Sequence, residues 1–349
     1  MRRTEDPPFP RDQGAAHRTR AKLGRLRRVP GQVRARDPKV PDATLAADLH
    51  ATAAAVAETR PDRVQRVDAP RDAHAPVGVT VAGWRFSALG ADAARLLADA
   101  PAATRLGDAL ALSLPEDLVW MRCDGAAGRA ALLHVSFPSH WAPETRAGAS
   151  LLELHGPVAD GARLRDASAA VMKAICSKGR YQRFVWNLVQ GGAASRHPDE
   201  VGRPGPAKAP EEGDVLSRWW FRVERQGTLP FPARGFALFT IRILQAPLRA
   251  VLAAEPGRAA RLAASIRSMR PEVLAYKGLA QDRDALLAAL DAADAGAGRQ
   301  GAPSPPSSSP FSASDPSLPD ASGPSAAPSS NSNEASTLPS TTTSFVSRS

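Results

Sequence analysis

Apolar positions begin to recur at helical spacing just after Pro41. Leu45, Leu49, Ala53 and Val56 follow one another at three- and four-residue intervals behind Asp42, a good helix-capping residue, which predicts a helix with one apolar face. After the polar stretch "RPDRVQRVDAPRDAHAP", β-branched and aromatic residues gather in short runs. These predict strands over 79–84, 118–122, 130–137, 151–155 and 184–189. Between the last two, "RDASAAVMKAICSKG" sets Val171 and Ile175 one turn apart and ends at Gly179, a helix with its stop signal. The longest alternating stretch is "WWFRVERQ … GFALFTIRILQ". Pro230 and Pro232 interrupt it and mark a connection rather than a mid-strand position. Beyond Pro247 the spacing is helical again, over 248–254, 257–269 and 283–293.

Composition adds the domain plan. The chain has 349 residues, 43% of them hydrophobic, which suffices for one large core. Its net charge of +10 is concentrated at the start, where residues 1–40 hold twelve Lys and Arg against four Asp and Glu. That segment reads as a solvated, disordered basic leader. It lacks interleaved aromatics and nucleic-acid motifs, and the rest of the chain is nearly neutral, which argues against a nucleic-acid-binding fold. Residues 299–349 are Ser- and Pro-rich with too little apolar content to fold, and read as a disordered tail. Residues 41–298 are expected to form one α+β domain, a mainly antiparallel sheet with helices at its N- and C-terminal ends. No run is apolar and long enough for a signal peptide or a membrane span, so a cytoplasmic protein is expected. Cys123 and Cys176 are too few for a disulfide framework or a zinc ribbon.

The chemistry must lie elsewhere than in the common motifs. A phosphate-binding glycine loop, a nucleophile elbow, a paired-histidine zinc helix and a covalent haem attachment sequence are all absent. Within "FRVERQ", alternation puts Arg222 and Glu224 on one face and Arg225 on the other. Two guanidinium groups beside a pocket suit an anionic ligand, and a salt-bridge network spanning two layers is the competing reading. His155 in "LLELHGPV" ends an apolar run next to Gly156, where a flat ligand could approach the backbone, and neutral imidazole is a common haem ligand. A turn histidine satisfied by backbone explains the same residue. His140 and His197 read as loop histidines, and His134 falls on the more polar face of its strand.

Taken in order, "LPEDLVWM", "HVSFPSHWAPETRAGASLLELHGPV", "RFVWNL", "FRVERQ…LPFPARGFALFTIRI" and "YKGL" resemble the haem-dependent oxidative N-demethylase family, over roughly residues 41–293. The resemblance implies a PAS-like α+β domain that binds haem b. It implies oxidation of a methyl group on a small secondary alkylamine, dimethylamine-like, with dioxygen, and release of formaldehyde. Electrons would come from a separate flavin and iron–sulfur reductase. Carried over, His155 becomes the iron ligand, with His197 as the other candidate. Arg222 and Arg225 become donors to the haem propionates or the distal pocket, and Arg183 and Trp186 line the same pocket. Glu224 becomes the counter-charge that attracts the alkylammonium substrate, or relays protons to bound oxygen. The alternative reading is a PAS-like haem or gas sensor without turnover. The sequence departs from the family where Gly227 separates "ERQ" from Thr228-Leu229-Pro230, and where Arg146 replaces a common Lys with Ala147 before the Gly.

Overall fold

The computed structural model describes residues 2–4, 9, 15–67, 78–123, 128–154, 161–201 and 214–299. Its strands are β1 (Arg2–Arg3), β2 (Arg34–Arg36), β3 (Val64–Arg66), β4 (Val79–Val81), β5 (Trp84–Phe86), β6 (Asp117–Arg122), β7 (Arg129–His134), β8 (Tyr181–Gln190), β9 (Trp219–Phe231) and β10 (Phe236–Pro247). Its helices are α1 (Ala15–Arg28), α2 (Pro30–Val33), α3 (Asp42–Thr59), α4 (Ala91–Ala98), α5 (Ala102–Ser113), α6 (Leu151–Leu154), α7 (Gly161–Ser177), α8 (Pro198–Val201), α9 (Leu248–Ala253), α10 (Arg258–Arg267), α11 (Pro271–Tyr276) and α12 (Arg283–Arg299). The class is α+β, as expected.

The β9–β10 hairpin is the spine. Its pairing runs from Phe231 opposite Phe236 to Trp220 opposite Pro247. Pro232 opens the short 3-10 turn, and Gly235 closes it at φ 64°, a left-handed conformation that a side chain disfavours. Around this hairpin a seven-stranded antiparallel sheet assembles in the order β1-β8-β9-β10-β6-β7-β2, with a small β3-β5-β4 sheet beside it.

Residues directly opposite in an antiparallel pair share a face, and faces alternate along each strand. One face carries Leu118, Trp120, Leu132, Phe236 and Leu238, packed against Leu45, Leu49 and Val56 of α3 and Leu106 and Leu110 of α5. Further along the same face, Trp186, Leu188 and Phe221 pack against Ala263 and Ile266 of α10 and Leu286 and Leu290 of α12. The other face carries Val119, Met121 and Ala237, covered by Met172 and Ile175 of α7. The central strands are therefore buried on both sides. That is why β9 can carry charge on both faces only where each charge has a partner.

Several expectations are corrected. The supposed solvated leader is part of the fold from Ala15 on: Leu26, Val33 and Val40 are core residues, and β2 extends the main sheet. The reason is local. Lys22 in α1 is fully buried and donates through Nζ to the carbonyls of Ala111 (3.1 Å) and Glu116, 3.2 Å from the Asp117 carboxylate. Asp42 begins α3 without capping it, because its carboxylate is drawn to Arg36. The run over 79–84 breaks into β4 and β5 at a left-handed Ala82–Gly83 turn. The described part of the run over 151–155 is helix α6, and the strand expected over 130–137 ends at His134. His134 is buried rather than on a polar face, since α5 covers it and sets Asp108 against it at 3.5 Å. Cys123 and Cys176 are bonded to each other, fastening the end of β6 to the last turn of α7. Such a bond stands in tension with a reducing compartment.

Lys22→Met is expected to leave Asp117 as an unpaired buried charge. The expected loss is about 3–5 kcal/mol, read as a fall in the denaturant midpoint. A change below about 1 kcal/mol would mean that α1 does not seal the core as described.

Candidate functional site

Four separate chain segments converge on the face that bears Glu224. Register sets Arg183 opposite Gln226, Val185 opposite Glu224 and Asn187 opposite Arg222, so all their side chains lie on one side of the sheet. The loop after β7 lies over them. Ser139 Oγ donates to one Glu224 carboxylate oxygen, and Gln226 Nε2 donates to the other at 2.8 Å. Arg183 Nε donates to Gln226 Oε1 at 2.5 Å.

Arg222 organises this arrangement. It is 1% exposed. Its Nε donates to Ser139 Oγ (3.0 Å), one terminal nitrogen to the Ala194 carbonyl (2.8 Å) and Gln245 Oε1 (2.9 Å), and the other to the Phe137 carbonyl (2.8 Å). One guanidinium thus ties two loops to the sheet. Asp117 helps from below by accepting the Phe137 amide at 2.8 Å.

The fourth segment arrives at the sheet edge. β1 covers β8 only at Tyr181 and Gln182. Past that point Lys277 takes over, donating from Nζ to the Trp186 carbonyl (2.7 Å) and Asn187 Oδ1 (3.3 Å) and lying 4.8 Å from the Trp186 ring. Gly278 at φ 67° makes the turn that puts Lys277 there, while Leu279 anchors it in the core. The neighbouring Tyr276 is 51% exposed, within electrostatic reach of Glu224 and Arg183.

Cations dominate this cluster. Burial pulls Arg222 down to about 10 and Lys277 to about 8, with the Glu224 charge opposing both, and burial likewise lowers Arg183 and Arg196. Arg196 Nε donates to His140 Nε2 at 2.9 Å. Burial, Arg196 and Arg222 together hold His140 at about 4, hence neutral at ordinary pH. Its backbone is left-handed at φ 63°, where its amide donates to the Arg196 carbonyl while the Arg196 amide donates to the Pro138 carbonyl. Among the described residues, none of Arg183, Arg196, Arg222 and Lys277 forms an ion pair within 4 Å of a carboxylate.

The sequence matches the family described as haem-dependent oxidative N-demethylase, alpha subunit-like, over residues 86–287, more than half of the chain. The chain belongs to this family. No curated protein matches it. The five quoted stretches all fall within the matched span, and four of them, the second through its Phe137–Trp141 loop, supply the cluster around Glu224.

The structure divides the expected site residues. Glu224, Arg222 and Arg183 come together. Arg225 lies on the opposite face, where it donates to Glu116 at 3.0 Å. Burial raises the Glu116 carboxyl, with Arg225 opposing. Trp186 is also on that opposite face, so it cannot line one pocket with Arg183. It stacks on Phe221 (5.7 Å between centroids) and floors a cleft of about 630 Å³ walled by Val251, Leu252 and Leu262. Among the described residues, no histidine lines this cleft, and none of the Glu224 cluster reaches it.

His155 lies outside the described residues. Its chain neighbours α6 and α7 contribute Leu151, Met172 and Ile175 to the core on the Glu224 face. His197 has both ring nitrogens occupied: Nδ1 accepts the Asp199 amide at 3.2 Å, and Nε2 meets Glu144 at 3.0 Å. Glu144, His197 and Asp199 do bring possible ligand atoms within 4.8 Å of one another, yet these bonds account for the imidazole. Arg183 and Arg196 donate only through Nε among the described residues, which leaves their guanidinium ends for carboxylates. That donor chemistry fits the acid side chains of a haem. Ser139, Gln226 and Lys277 were not singled out from the sequence, although all three sit inside the quoted motifs.

Lys277 gives a pH signature. Its folded value, about 8, lies below its ordinary 10.5, so the unfolded chain holds more protons between those limits and stability rises with pH there. The stability of the wild type relative to Lys277→Met is expected to climb from about pH 8 toward pH 10, measured by denaturation at each pH. A flat difference would mean that the amine is not packed against Trp186.

Proposed function

We propose that the protein is the haem-binding oxygenase component of an oxidative N-demethylase acting on a small secondary alkylamine. Electrons would come from a separate reductase, and formaldehyde would be released. Membership of the family supports the chemistry. The single structural observation behind the site is the convergence of family motifs on Glu224. Haem, when bound, would supply the activation of dioxygen.

The protein's own groups then have distinct tasks. Glu224 is placed to take the N–H of the bound amine, and Ser139 and Gln226 fix the directions of its two oxygens. Arg222 acts through Ser139 and the Phe137 carbonyl as a positioning residue, since its donors are committed within the protein. Arg183 and Arg196 are the donors for haem carboxylates. His155 is the proposed iron ligand, and His197 is set aside because its nitrogens are engaged. Arg225 and Trp186 support the opposite face.

Hemin-loaded protein, given dimethylamine, dioxygen and a reductant, is expected to release formaldehyde. Glu224→Gln, which keeps the shape but loses the charge, should lower kcat by about 10²–10⁴-fold while leaving the Soret band in place. Formaldehyde from no small methylamine, with haem fully loaded, would leave the sensor reading. His155→Ala is expected to change the ferric spectrum and His140→Ala to preserve axial ligation. The reverse result would move the ligand to His140.

A further inference from the structure

The cleft on the far side of the sheet takes no part in the oxidation chemistry above. Its floor is the Trp186–Phe221 pair, whose rings are near-parallel at 16°, and its walls are Val251 and Leu252 of α9 and Leu262 of α10. The floor is held in place from the sheet edge. Lys277 Nζ donates to the Trp186 carbonyl and lies 4.8 Å from the ring. At about 630 Å³ the space has the size and the apolar body of a small-molecule site. Three charged groups complete the lining, Glu255, Arg258 and Arg261. Arg258 is fixed by the Val251 carbonyl (2.9 Å) and by Glu255 Oε2 (2.6 Å). Arg261 meets the other Glu255 oxygen through one terminal nitrogen, and its remaining N–H groups have no acceptor among the described residues. One carboxylate thus serves two guanidinium groups. Both arginines stand in the first turn of α10, where the helix dipole adds to the positive potential.

We propose that this cleft is a binding site for a flat aromatic molecule carrying one carboxylate, its ring against Trp186 and Phe221 and its acid group at Arg261. An aromatic ring gains most where it can lie along other rings, and an acid group gains most where guanidinium donors outnumber the carboxylates beside them. The site goes beyond the oxidation reading and does not depend on it. It lies across the sheet from Glu224: Trp186 and Val185 are neighbours on β8 with side chains on opposite faces, and Val185 is the residue opposite Glu224.

The test is equilibrium dialysis of the full chain against matched probes: the anion naphthoate, the neutral alcohol naphthylmethanol and the cation naphthylmethylammonium. Naphthoate is expected to bind about tenfold more tightly than the alcohol, the range of one charge-assisted hydrogen bond, and the ammonium most weakly. Arg261→Gln, at an exposed side chain, should bring naphthoate down to the level of the alcohol and leave the alcohol unchanged. Val251→Trp, which fills the cleft from a half-buried wall position, should abolish retention of every probe, with Tm measured alongside to show that the chain is folded. Retention of no probe by the wild type, equal retention of all of them, or naphthoate binding that survives Val251→Trp would each overturn the inference. Hemin loading should leave naphthoate binding unchanged, because none of the Glu224 cluster reaches the cleft. Displacement of naphthoate by hemin would put the cofactor itself in the cleft, and would overturn both this inference and the placing of haem beside Glu224. Failure of formaldehyde release, with naphthoate bound as described, would count against the oxidation reading alone.

Discussion

The buried guanidinium of Arg222 is the constraint on which the site depends. A cation with almost no solvent contact persists only if its donors are met, and here the acceptors come from the loop after β7, the loop after β8 and strand β10. The requirement works in both directions. The loops give up their freedom to satisfy the charge, and the charge fixes where Ser139 stands. Through Ser139 it also fixes the direction in which Glu224 points. A side chain that looks like ligand chemistry in a sequence is in this fold the frame of a neighbouring carboxylate.

The two faces of the sheet are used differently. On the face with Arg225, the Glu116 pair and a stacked Trp186–Phe221 wall join two apolar layers, one from the N-terminal helices and one from the C-terminal helices. On the face with Glu224, polar groups gather between the α7 core and the open edge of β8. The larger apolar layers thus lie on one side, and the polar cluster around Glu224 lies on the other, where burial depresses the basicity of Arg183, Arg222 and Lys277.

Much of this was legible in the chain. The alternation of "FRVERQ" placed Arg222 with Glu224 and apart from Arg225, because strand periodicity depends only on counting. The same counting, applied to "RFVWNL", would have separated Arg183 from Trp186. The leader was illegible for a different reason: a positively charged stretch reads as solvated unless its buried acceptors are known, and those of Lys22 lie some ninety residues away. Run length misled at residues 151–155, where a four-residue helix and a strand have the same apolar signature. Ser139 and Gln226 could not be weighted from sequence, since their importance is a matter of whom they face.

The link between Cys123 and Cys176 makes a covalent ring with a sequence separation of 53 residues, closing around the segment that holds Ser139, His140 and His155. Closing a loop of that size removes unfolded-state entropy worth about 4 kcal/mol. It also pins the last turn of α7 to the end of β6, so that end of the helix cannot lift from the sheet without breaking a covalent bond.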